Sequence, residues 1–471
     1  MEKATKINSE NNRISVELFN NIEAVSFFYS LLLYVFAKPW HNLLWYKRFE
    51  VTGKEQLKNN VAYIFCPNHQ NALMDAMAFV TSSPIQLVWL ARADIFKSKI
   101  AKSIFTFMKI LPVFRIRDGA DSLGDNELIF AKCSDILNQK KSIALFPEAT
   151  HWGFRKLRNT KKAAPRIAFL AAENSNFTLD VHIVPCGMYY QNYTSARSGL
   201  LLQYGKPFSI SDFVVLYKEN PSKAYNSLRE RIESEMRPLI IDIKTEKYYK
   251  TFDEVRNIFD QYLFTEGKSE RSMIQKFNAD KLIIAKLNEV LLENESEIEL
   301  LAANVEQYSA LKNKIDINEE VIQYSSSNSL FKLGIGLIML FILLPIFLVG
   351  YFSLLIPYFI PLYFINKKVK DKQFISSVSF GLSFFLIPAF HLIYLLIIFN
   401  SINLSLVFVP VFLFFFIFLF PFTIDYYKRV ILLKSSVRFL FLNRFGNKMV
   451  FELTEMRLLI ISKMKELFDT K

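Results

Sequence analysis

The chain has 471 residues, and 52% of them are hydrophobic, including 47 phenylalanines. Soluble domains usually hold about 45–50% apolar residues, so this composition predicts a membrane protein. A net charge of +13 suits an anionic membrane surface or nucleic acid. Because no nucleic-acid-binding motif is present, we expect membrane lipids and no nucleic acid as partners. The cysteines are far apart, which suits a reducing compartment and predicts neither a disulfide framework nor a metal site; they are Cys66, Cys133 and Cys186.

The sequence of residues 1–47 predicts a polar tail followed by a helix at a membrane interface. The apolar run Ala24–Ala37 directly follows Glu23, which makes it a poor signal peptide. At about 14 residues, it is also too short to cross a bilayer. Because Trp40 and Trp45 follow, we expect a helix lying in the interface with its indole rings at the depth of the headgroups. The alternative is a buried core helix of the next domain.

Residues 48–245 have the pattern of an α/β domain, with a mixed sheet flanked by helices. Short apolar runs alternate there with longer amphipathic ones. The predicted strands are Val61–Phe65, Gln86–Leu90, Val113–Ile116, Ser142–Phe146, His182–Met188 and Leu200–Tyr204. The predicted helices are Ala72–Val80, Ser98–Met108, Ser122–Leu137, Lys162–Ala172 and Ala224–Ile240. Several strands end in reactive or charged residues, as expected if one cleft collects them.

His69 is the first candidate functional residue, because it follows the strand Val61–Phe65 at a turn into a helix. Imidazole titrates near neutral pH and can take a proton from a hydroxyl group when a carboxylate orients the ring. Asp75, six positions further on, can supply that carboxylate. A structural histidine beside apolar residues remains the alternative.

Two further stretches carry charged groups. Arg115 and Arg117 lie on one face of a predicted strand, where two guanidinium groups can bind a phosphate; a solvated edge strand is the alternative. The strand Ser142–Phe146 leads into Glu148, Thr150 and His151. Cations then gather near a helix start, where they oppose the helix dipole unless an anion binds; they are Lys156, Arg158, Lys161, Lys162 and Arg166.

Four sequence blocks occur in an order and at separations that resemble the glycerolipid acyltransferase superfamily, which includes 1-acylglycerol-3-phosphate and glycerol-3-phosphate acyltransferases. The blocks are NHQNALMDA at Asn68–Ala76, LPVFRIRDG at Leu111–Gly119, LFPEATH at Leu145–His151 and IVPCGMYY at Ile183–Tyr190. The resemblance covers about residues 45–245.

The resemblance implies a role for each block. His69 is then the general base and Asp75 its orienting partner. Arg115 and Arg117 bind the acceptor phosphate. Glu148 and Thr150 organise the acceptor site, and Pro185 lies near the acyl-chain cleft.

Three departures from the family pattern concern the spacing and the third block. The family places four residues between the histidine and the aspartate, whereas five separate His69 from Asp75. One extra residue turns a helix by about 100°. The FPEGTR block has Ala149 for glycine and His151 for arginine. The loss of that arginine weakens a phosphate contact, which His151 as a protonated ligand, Arg115, Arg117 or Lys161 can replace.

The remainder of the chain predicts a helical connector at 246–328, transmembrane hairpins at 329–425 and an amphipathic helical tail at 426–471 suited to an anionic membrane surface. Division at Pro345, Gly350 and Asn400 leaves about four apolar segments. Lysines and arginines flank the two apolar blocks, whereas the Gly350 and Asn400 turns carry no charge. The positive-inside rule then predicts hairpins that return to the cytoplasm. His391 is expected to be a packing residue rather than a functional one.

These patterns together predict a multi-pass enzyme of the inner, cytoplasmic membrane, with its catalytic domain on the cytoplasmic side. It would transfer a fatty acyl chain from coenzyme A or acyl carrier protein to a hydroxyl of glycerol phosphate or lysophosphatidate, in phospholipid biosynthesis, without a cofactor or metal. Two alternatives remain open. One is an acyltransferase for another lyso-lipid or an aminolipid, and the other is a catalytically silent membrane scaffold with the same fold.

Overall fold

The computed structural model describes residues 19–96, 98–114, 122–263, 272–323, 329–402 and 408–469. The chain forms two compact units. The first contains residues up to 42 together with 49–190 and 200–240. The second contains 43–48, 191–199 and 241–471. Arg115 and Arg117, the predicted phosphate ligands, lie outside the described residues.

A single mixed sheet organises the first unit. Its strands are β1 (Arg48–Thr52), β2 (Ala62–Pro67), β3 (Leu87–Arg92), β4 (Ile110–Val113), β5 (Ser142–Ala144), β6 (Val181–Tyr190), β7 (Gly199–Tyr204) and β8 (Phe208–Ser209). Their order is β1-β7-β6-β2-β5-β3-β4, and β8 pairs with β6. Strands β2 to β6 run parallel, whereas β7 and β8 are antiparallel to β6. The carboxyl ends of β2 and its neighbour β5 therefore meet at one edge of the sheet.

Helices flank this sheet, as predicted for an α/β domain. They are α2 (Leu73–Ser82), α3 (Lys99–Phe107), α4 (Ser122–Asn138), α5 (Ala163–Asn174), α6 (Val214–Glu219) and α7 (Pro221–Met236). The core consists of buried aliphatic side chains of the sheet and of α4, α5 and α7, such as Ile64, Ile143, Ile167 and Leu228. Burying one side chain of this size contributes about 1.5–3 kcal/mol to folding.

Most predicted elements form within a few residues of their expected bounds, but the strand Val113–Ile116 was placed about three residues too late. The structure pairs Ile110–Val113 with β3 instead, and Leu111 is buried opposite Leu90. Burial of Leu111, with Ile110 half-buried beside it, therefore decides the position of this strand. Strand β1 was not predicted, because each of its residues is only half-buried and its apolar signal is weak.

The N-terminal apolar run forms helix α1 (Phe27–Leu31), which continues in π-helical turns at Leu32–Ala37 and Trp40–Trp45. Val25 and Phe27 are 76% and 73% exposed, so the alternative of a buried core helix is wrong. Trp40 and Trp45 are buried in the protein, and their position at headgroup depth stays a prediction. Within the second unit, Trp45 packs against the rings of Phe380 and Phe420, so its burial comes from protein contacts rather than lipid.

The second unit is helical in its described part. Its first helices are α8 (Tyr249–Phe259), α9 (Met273–Glu293), α10 (Glu295–Ile315) and α11 (Glu319–Gln323). The later helices are α12 (Ser329–Leu354), α13 (Ile360–Lys368), α14 (Gln373–Ile402), α15 (Val409–Arg444) and α16 (Lys448–Asp469). Helix α15 continues through residues 425 and 426, where the sequence placed a boundary between hairpins and tail.

Two helical stretches, Leu333–Lys368 and Gln373–Ser401, are long and apolar enough to cross a membrane. The predicted division of the first apolar block is wrong, because α12, a π-helical turn at Leu355–Phe359 and α13 follow one another without a hairpin. Pro345 lies inside α12, and Gly350 is a packing position, since an added Cβ would lie 2.0 Å from Thr423 Oγ1 of α15. The predicted return of the chain to the cytoplasm through a hairpin at Gly350 is therefore not supported.

Two other C-terminal features concern side-chain packing. His391 is buried and stacks on Phe416, with ring centroids 4.7 Å apart, as expected for a packing residue. The amphipathic pattern of α16 has an explanation within the protein, because Leu453, Ile460 and Met464 are buried. The prediction that this pattern marks a face lying on the membrane is therefore wrong for these side chains.

Candidate active site

The turn after β2 brings His69 to the carboxyl edge of the sheet. Asn68 fixes this turn, because its Oδ1 accepts a hydrogen bond of 2.7 Å from the backbone N–H of Met188 in β6. The backbone N–H of Trp152, beyond β5, donates to the carbonyl oxygen of His69 at 3.0 Å. Contacts from β6 and from the segment that follows β5 thus fix the backbone on both sides of the imidazole.

His69 and Asp75 form the central pair of the site. The distance from His69 Nδ1 to Asp75 Oδ2 is 2.8 Å, the imidazole is partly exposed, and the carboxylate is fully buried. Asp75 Oδ2 also accepts the backbone N–H groups of Gln70 and Asn71, each at 2.7 Å. Its Oδ1 accepts the hydroxyl of Tyr190 at 2.6 Å. Four donors therefore hold this carboxylate in one orientation, which in turn orients the ring.

The extra residue between His69 and Asp75 is accommodated in a turn before α2. Ala72 has φ of +47° and ψ of −121°, and the N–H of Met74 donates to Asn71 O at 3.0 Å. These angles match the first central position of a type II′ turn, which favours glycine. Because the extra residue is taken up before the helix begins, Asp75 keeps its hydrogen bond to His69.

Two aromatic rings contact the ring of His69, and a third contacts one of these two. Phe146 stacks on the His69 ring at 3.8 Å between centroids, and Trp89 in turn lies 5.4 Å from Phe146. His151 meets the ring of His69 edge-to-face at 5.4 Å. The residue that replaces the family's arginine is therefore adjacent to the imidazole.

Glu148 connects the β2 and β5 turns. Its carboxyl group is buried and accepts the backbone N–H of His69 at 2.8 Å and that of Arg158 at 3.0 Å. Burial raises the pKa of Glu148 to about 7, although these two N–H groups act in the opposite direction. Glu148 thus acts on the site through the backbone, because its carboxylate holds the N–H groups of His69 and Arg158.

Ala149 takes the left-handed backbone conformation that the family's glycine would adopt without strain. Its φ is +62°, and its N–H donates to Phe146 O at 3.0 Å. An L-residue with a Cβ pays about 1–2 kcal/mol in this region. Alanine therefore adopts this turn at an energetic cost.

The structure brings together His69, Asp75, Glu148, Thr150 and His151. Lys161 is exposed, and its backbone N–H donates to Pro147 O at 2.7 Å. Pro185 is buried within β6 opposite Cys66. Sequence reasoning missed Tyr190, Asn68 and Phe146, although Tyr190 ends the fourth block. It also assigned no role of its own to Arg158, whose guanidinium donates to Thr150 Oγ1 at 2.6 Å.

No metal site accompanies this arrangement in the part of the chain that the structure describes, where no group of three His, Cys, Asp or Glu side chains is placed to hold an ion. The thiols of Cys66, Cys133 and Cys186 are free and buried, and burial raises the pKa of each. Buried thiols in the protonated form are poor nucleophiles.

Comparison with known proteins identifies the class. Residues 48–189, which contain β1, β2 and the two turns of the site, match the family model described as Acyltransferase. This match confirms the resemblance of the four sequence blocks to the glycerolipid acyltransferase superfamily.

Two individual proteins are similar to parts of the chain. Glycerol-3-phosphate O-acyltransferase 2 of Saccharomyces cerevisiae is 29% identical over 113 residues, which are 24% of this chain and 15% of the yeast protein. The chain thus matches less than a sixth of that relative's length. The crystal structure of the 1-acyl-sn-glycerophosphate acyltransferase from Thermotoga maritima is 17% identical, with a TM-score of 0.33, and the match covers 47% of this chain and 85% of that one.

Proposed function

We propose that the chain is a membrane-bound O-acyltransferase that transfers a fatty acyl group from coenzyme A or acyl carrier protein to a hydroxyl of glycerol phosphate or lysophosphatidate. The observation that carries the proposal is the 2.8 Å hydrogen bond between His69 and Asp75, within a segment that matches the acyltransferase family. Without that bond, His69 would be one of many histidines beside apolar residues.

The geometry supports a general-base mechanism. Asp75 holds the proton of His69 on Nδ1, which leaves Nε2 as the acceptor for the hydroxyl proton of the substrate. As Nε2 takes that proton, the hydroxyl oxygen attacks the thioester carbonyl carbon. The carbon–sulfur bond then breaks, and the thiolate recovers the proton from His69. The products are an ester and a free thiol, and the imidazole returns to its initial state.

Membrane association is supported by the apolar surface of the second unit. In an 18-residue apolar segment of Leu333–Lys368, only 6% of the residues are buried in the protein; in the corresponding segment of Gln373–Ser401, 22% are buried. Phe341 and Phe385 are 77% and 71% exposed. Exposing such side chains to water costs about 1.5–3 kcal/mol each relative to burying them, so a bilayer is the environment that suits both helices. We propose that these two stretches cross or enter the membrane.

One assay distinguishes the candidate functions. Membranes containing the chain are incubated with labelled acyl-coenzyme A or acyl carrier protein and with glycerol 3-phosphate, lysophosphatidate or monoacylglycerol. The proposal predicts acyl transfer to a phosphate-bearing acceptor. Transfer independent of the phosphate would favour another lipid acceptor, which the replacement of arginine by His151 allows. No transfer with any acceptor would favour a silent scaffold.

A separate test addresses the membrane. After alkaline carbonate washing, the full chain should remain in the membrane pellet, because hydrophobic insertion resists this treatment whereas electrostatic adsorption does not. Release of the chain into the supernatant would contradict insertion of the two helices and would leave the proposed chemistry untouched.

A further inference from the structure

The guanidinium of Arg158 lies across the turn that carries Thr150 and His151. Its Nη1 donates to Thr150 Oγ1 at 2.6 Å, and its central carbon lies 4.5 Å from the ring centroid of Trp152. The side chain is half-buried, so part of the guanidinium faces solvent. Two fixed contacts thus orient a cation that remains accessible from outside.

The side chain of Arg158 forms no salt bridge in the described part of the chain. Glu148 accepts the backbone N–H of Arg158 at 3.0 Å; burial raises the pKa of this carboxyl group, and the charge of Arg158 acts on it only as a minor influence that lowers its pKa. A guanidinium carries five N–H donors, and the described structure uses one of them. The unused donors form the planar fork that binds two oxygens of a phosphate.

A second unused donor lies in the same cluster. The indole Nε1–H of Trp152, whose ring packs against the guanidinium, is buried and has no hydrogen-bond partner in the described part of the chain. Leaving a buried donor unpaired costs about 1–3 kcal/mol. An anion that engaged both groups would remove this cost and pair the charge of Arg158.

This cluster is close to the proposed general base. Thr150 and Trp152 flank His151, whose ring lies 5.4 Å from that of His69. The backbone N–H of Trp152 also donates a hydrogen bond to the carbonyl oxygen of His69. In glycerol 3-phosphate and lysophosphatidate, only a few bonds separate the free hydroxyl from the phosphorus. A phosphate held at Arg158 would therefore present that hydroxyl near His69.

We propose that Arg158 binds the phosphate of the acyl acceptor, in place of the arginine that the family pattern has at His151. The assignment rests on the proposed function, since it names a ligand of the same site. Lys161 is less suited, because its side chain is exposed, has no hydrogen bond or ion pair in the described structure, and ends in an ammonium group that is not planar. Any contribution of Arg115 and Arg117 would add to that of Arg158.

The test compares acceptor kinetics for wild type, Arg158→Ala and Arg158→Lys, with lysophosphatidate and monoacylglycerol as the acceptors. Arg158→Ala should raise the KM for lysophosphatidate by roughly tenfold to a hundredfold and leave the KM for the acyl thioester unchanged. The KM for monoacylglycerol should not change, because that acceptor has no phosphate. Arg158→Lys should recover only a small part of the loss.

Arg231→Ala is the matched control. It removes the same charge from α7, where the guanidinium of Arg231 lies 5.7 Å from the ring of Phe208 and pairs with Glu235 at 2.7 Å. This variant should behave as wild type. Thermal unfolding of each variant checks the fold, and Arg158→Gln, which preserves a donor to Thr150, replaces Arg158→Ala if the latter unfolds early.

The outcomes separate the inference from the function on which it rests. If wild type transfers acyl groups to lysophosphatidate but Arg158→Ala has the same acceptor KM as Arg231→Ala, the phosphate site is wrong and the function stands. An equal rise in KM for both acceptors would make Arg158 a structural residue and would also overturn the inference. If wild type acylates no phosphate-bearing acceptor, the proposed function itself fails.

Discussion

Replacing Asp75 with asparagine separates the charge of this carboxylate from its geometry. Three N–H donors converge on Oδ2, from His69, Gln70 and Asn71, whereas Oδ1 meets only the hydroxyl of Tyr190. An amide NH₂ in the Oδ2 position would face three donors, so the asparagine oxygen should occupy it. The nitrogen would then donate to the Tyr190 hydroxyl, which can accept as well as donate. Asp75→Asn should therefore keep His69 in the same tautomer.

The expected loss is then mainly electrostatic. Two unit charges about 4 Å apart interact by about 4 kcal/mol at an effective dielectric constant of about 20. This energy corresponds to about a thousandfold in rate, and only part of the charge on His69 has developed in the transition state. We expect kcat for Asp75→Asn to fall by roughly 10²–10³-fold with little change in either KM.

The assay measures kcat and both KM values for wild type, Asp75→Asn, Asp75→Ala and His69→Ala in the same membranes. Asp75→Ala should lose more than Asp75→Asn, because it also releases the imidazole. If Asp75→Asn were as impaired as His69→Ala, the amide would have turned its nitrogen toward His69 and the argument from the three donors would be wrong. Full activity would show that the charge of Asp75 plays no part.

Three other predictions follow from contacts around the pair. Tyr190→Phe should lower kcat by about tenfold, because a hydrogen bond to the charged Asp75 is lost. Tyr204→Phe is the control and should leave kcat unchanged, since the Tyr204 hydroxyl bonds to Ser82 at 3.1 Å. Equal kcat values for the two variants would exclude a positioning role for Tyr190. Ala149→Gly should stabilise the folded protein by about 0.5–1 kcal/mol, since φ of +62° suits glycine; a lower Tm would contradict strain there. The pKa of Glu148 is raised from 4.5 to about 7, so the folded state holds an extra proton between these values. Its contribution to stability should fall by about 3 kcal/mol as the pH rises through that window, and Glu148→Gln should remove this pH dependence of unfolding.

The sequence predicted the elements of the first unit well where burial is strong. Strand β2 was expected because Val61 to Phe65 form an apolar run, and Ala62 to Phe65 are all buried. The histidine and the aspartate were expected to meet because the family pattern pairs them. What allows them to meet across five residues is the backbone at Ala72, and a conformation with φ of +47° at an alanine has no sequence signal.

Other features depend on contacts between distant parts of the chain. Tyr190 reaches Asp75 because β6 lies beside β2, and this pairing joins residues 115 positions apart. The sequence predicts a turn at Gly350, where an uncharged position divides the first apolar block. In the structure Gly350 allows α12 to approach Thr423 of α15, which no local pattern reveals. Local periodicity therefore predicts elements, while the partners of individual side chains depend on the assembled fold.

The central claim is that His69 acts as the base in acyl transfer to a phosphate-bearing acceptor. The most direct measurement is the transfer of labelled acyl groups from acyl-coenzyme A or acyl carrier protein to glycerol 3-phosphate and lysophosphatidate, by wild type and His69→Ala in purified membranes. Loss of a positioned base typically costs a factor of about 10² to 10⁴, so His69→Ala should be nearly inactive while its amount in the membrane stays unchanged. Transfer by His69→Ala at the wild-type rate would contradict the mechanism.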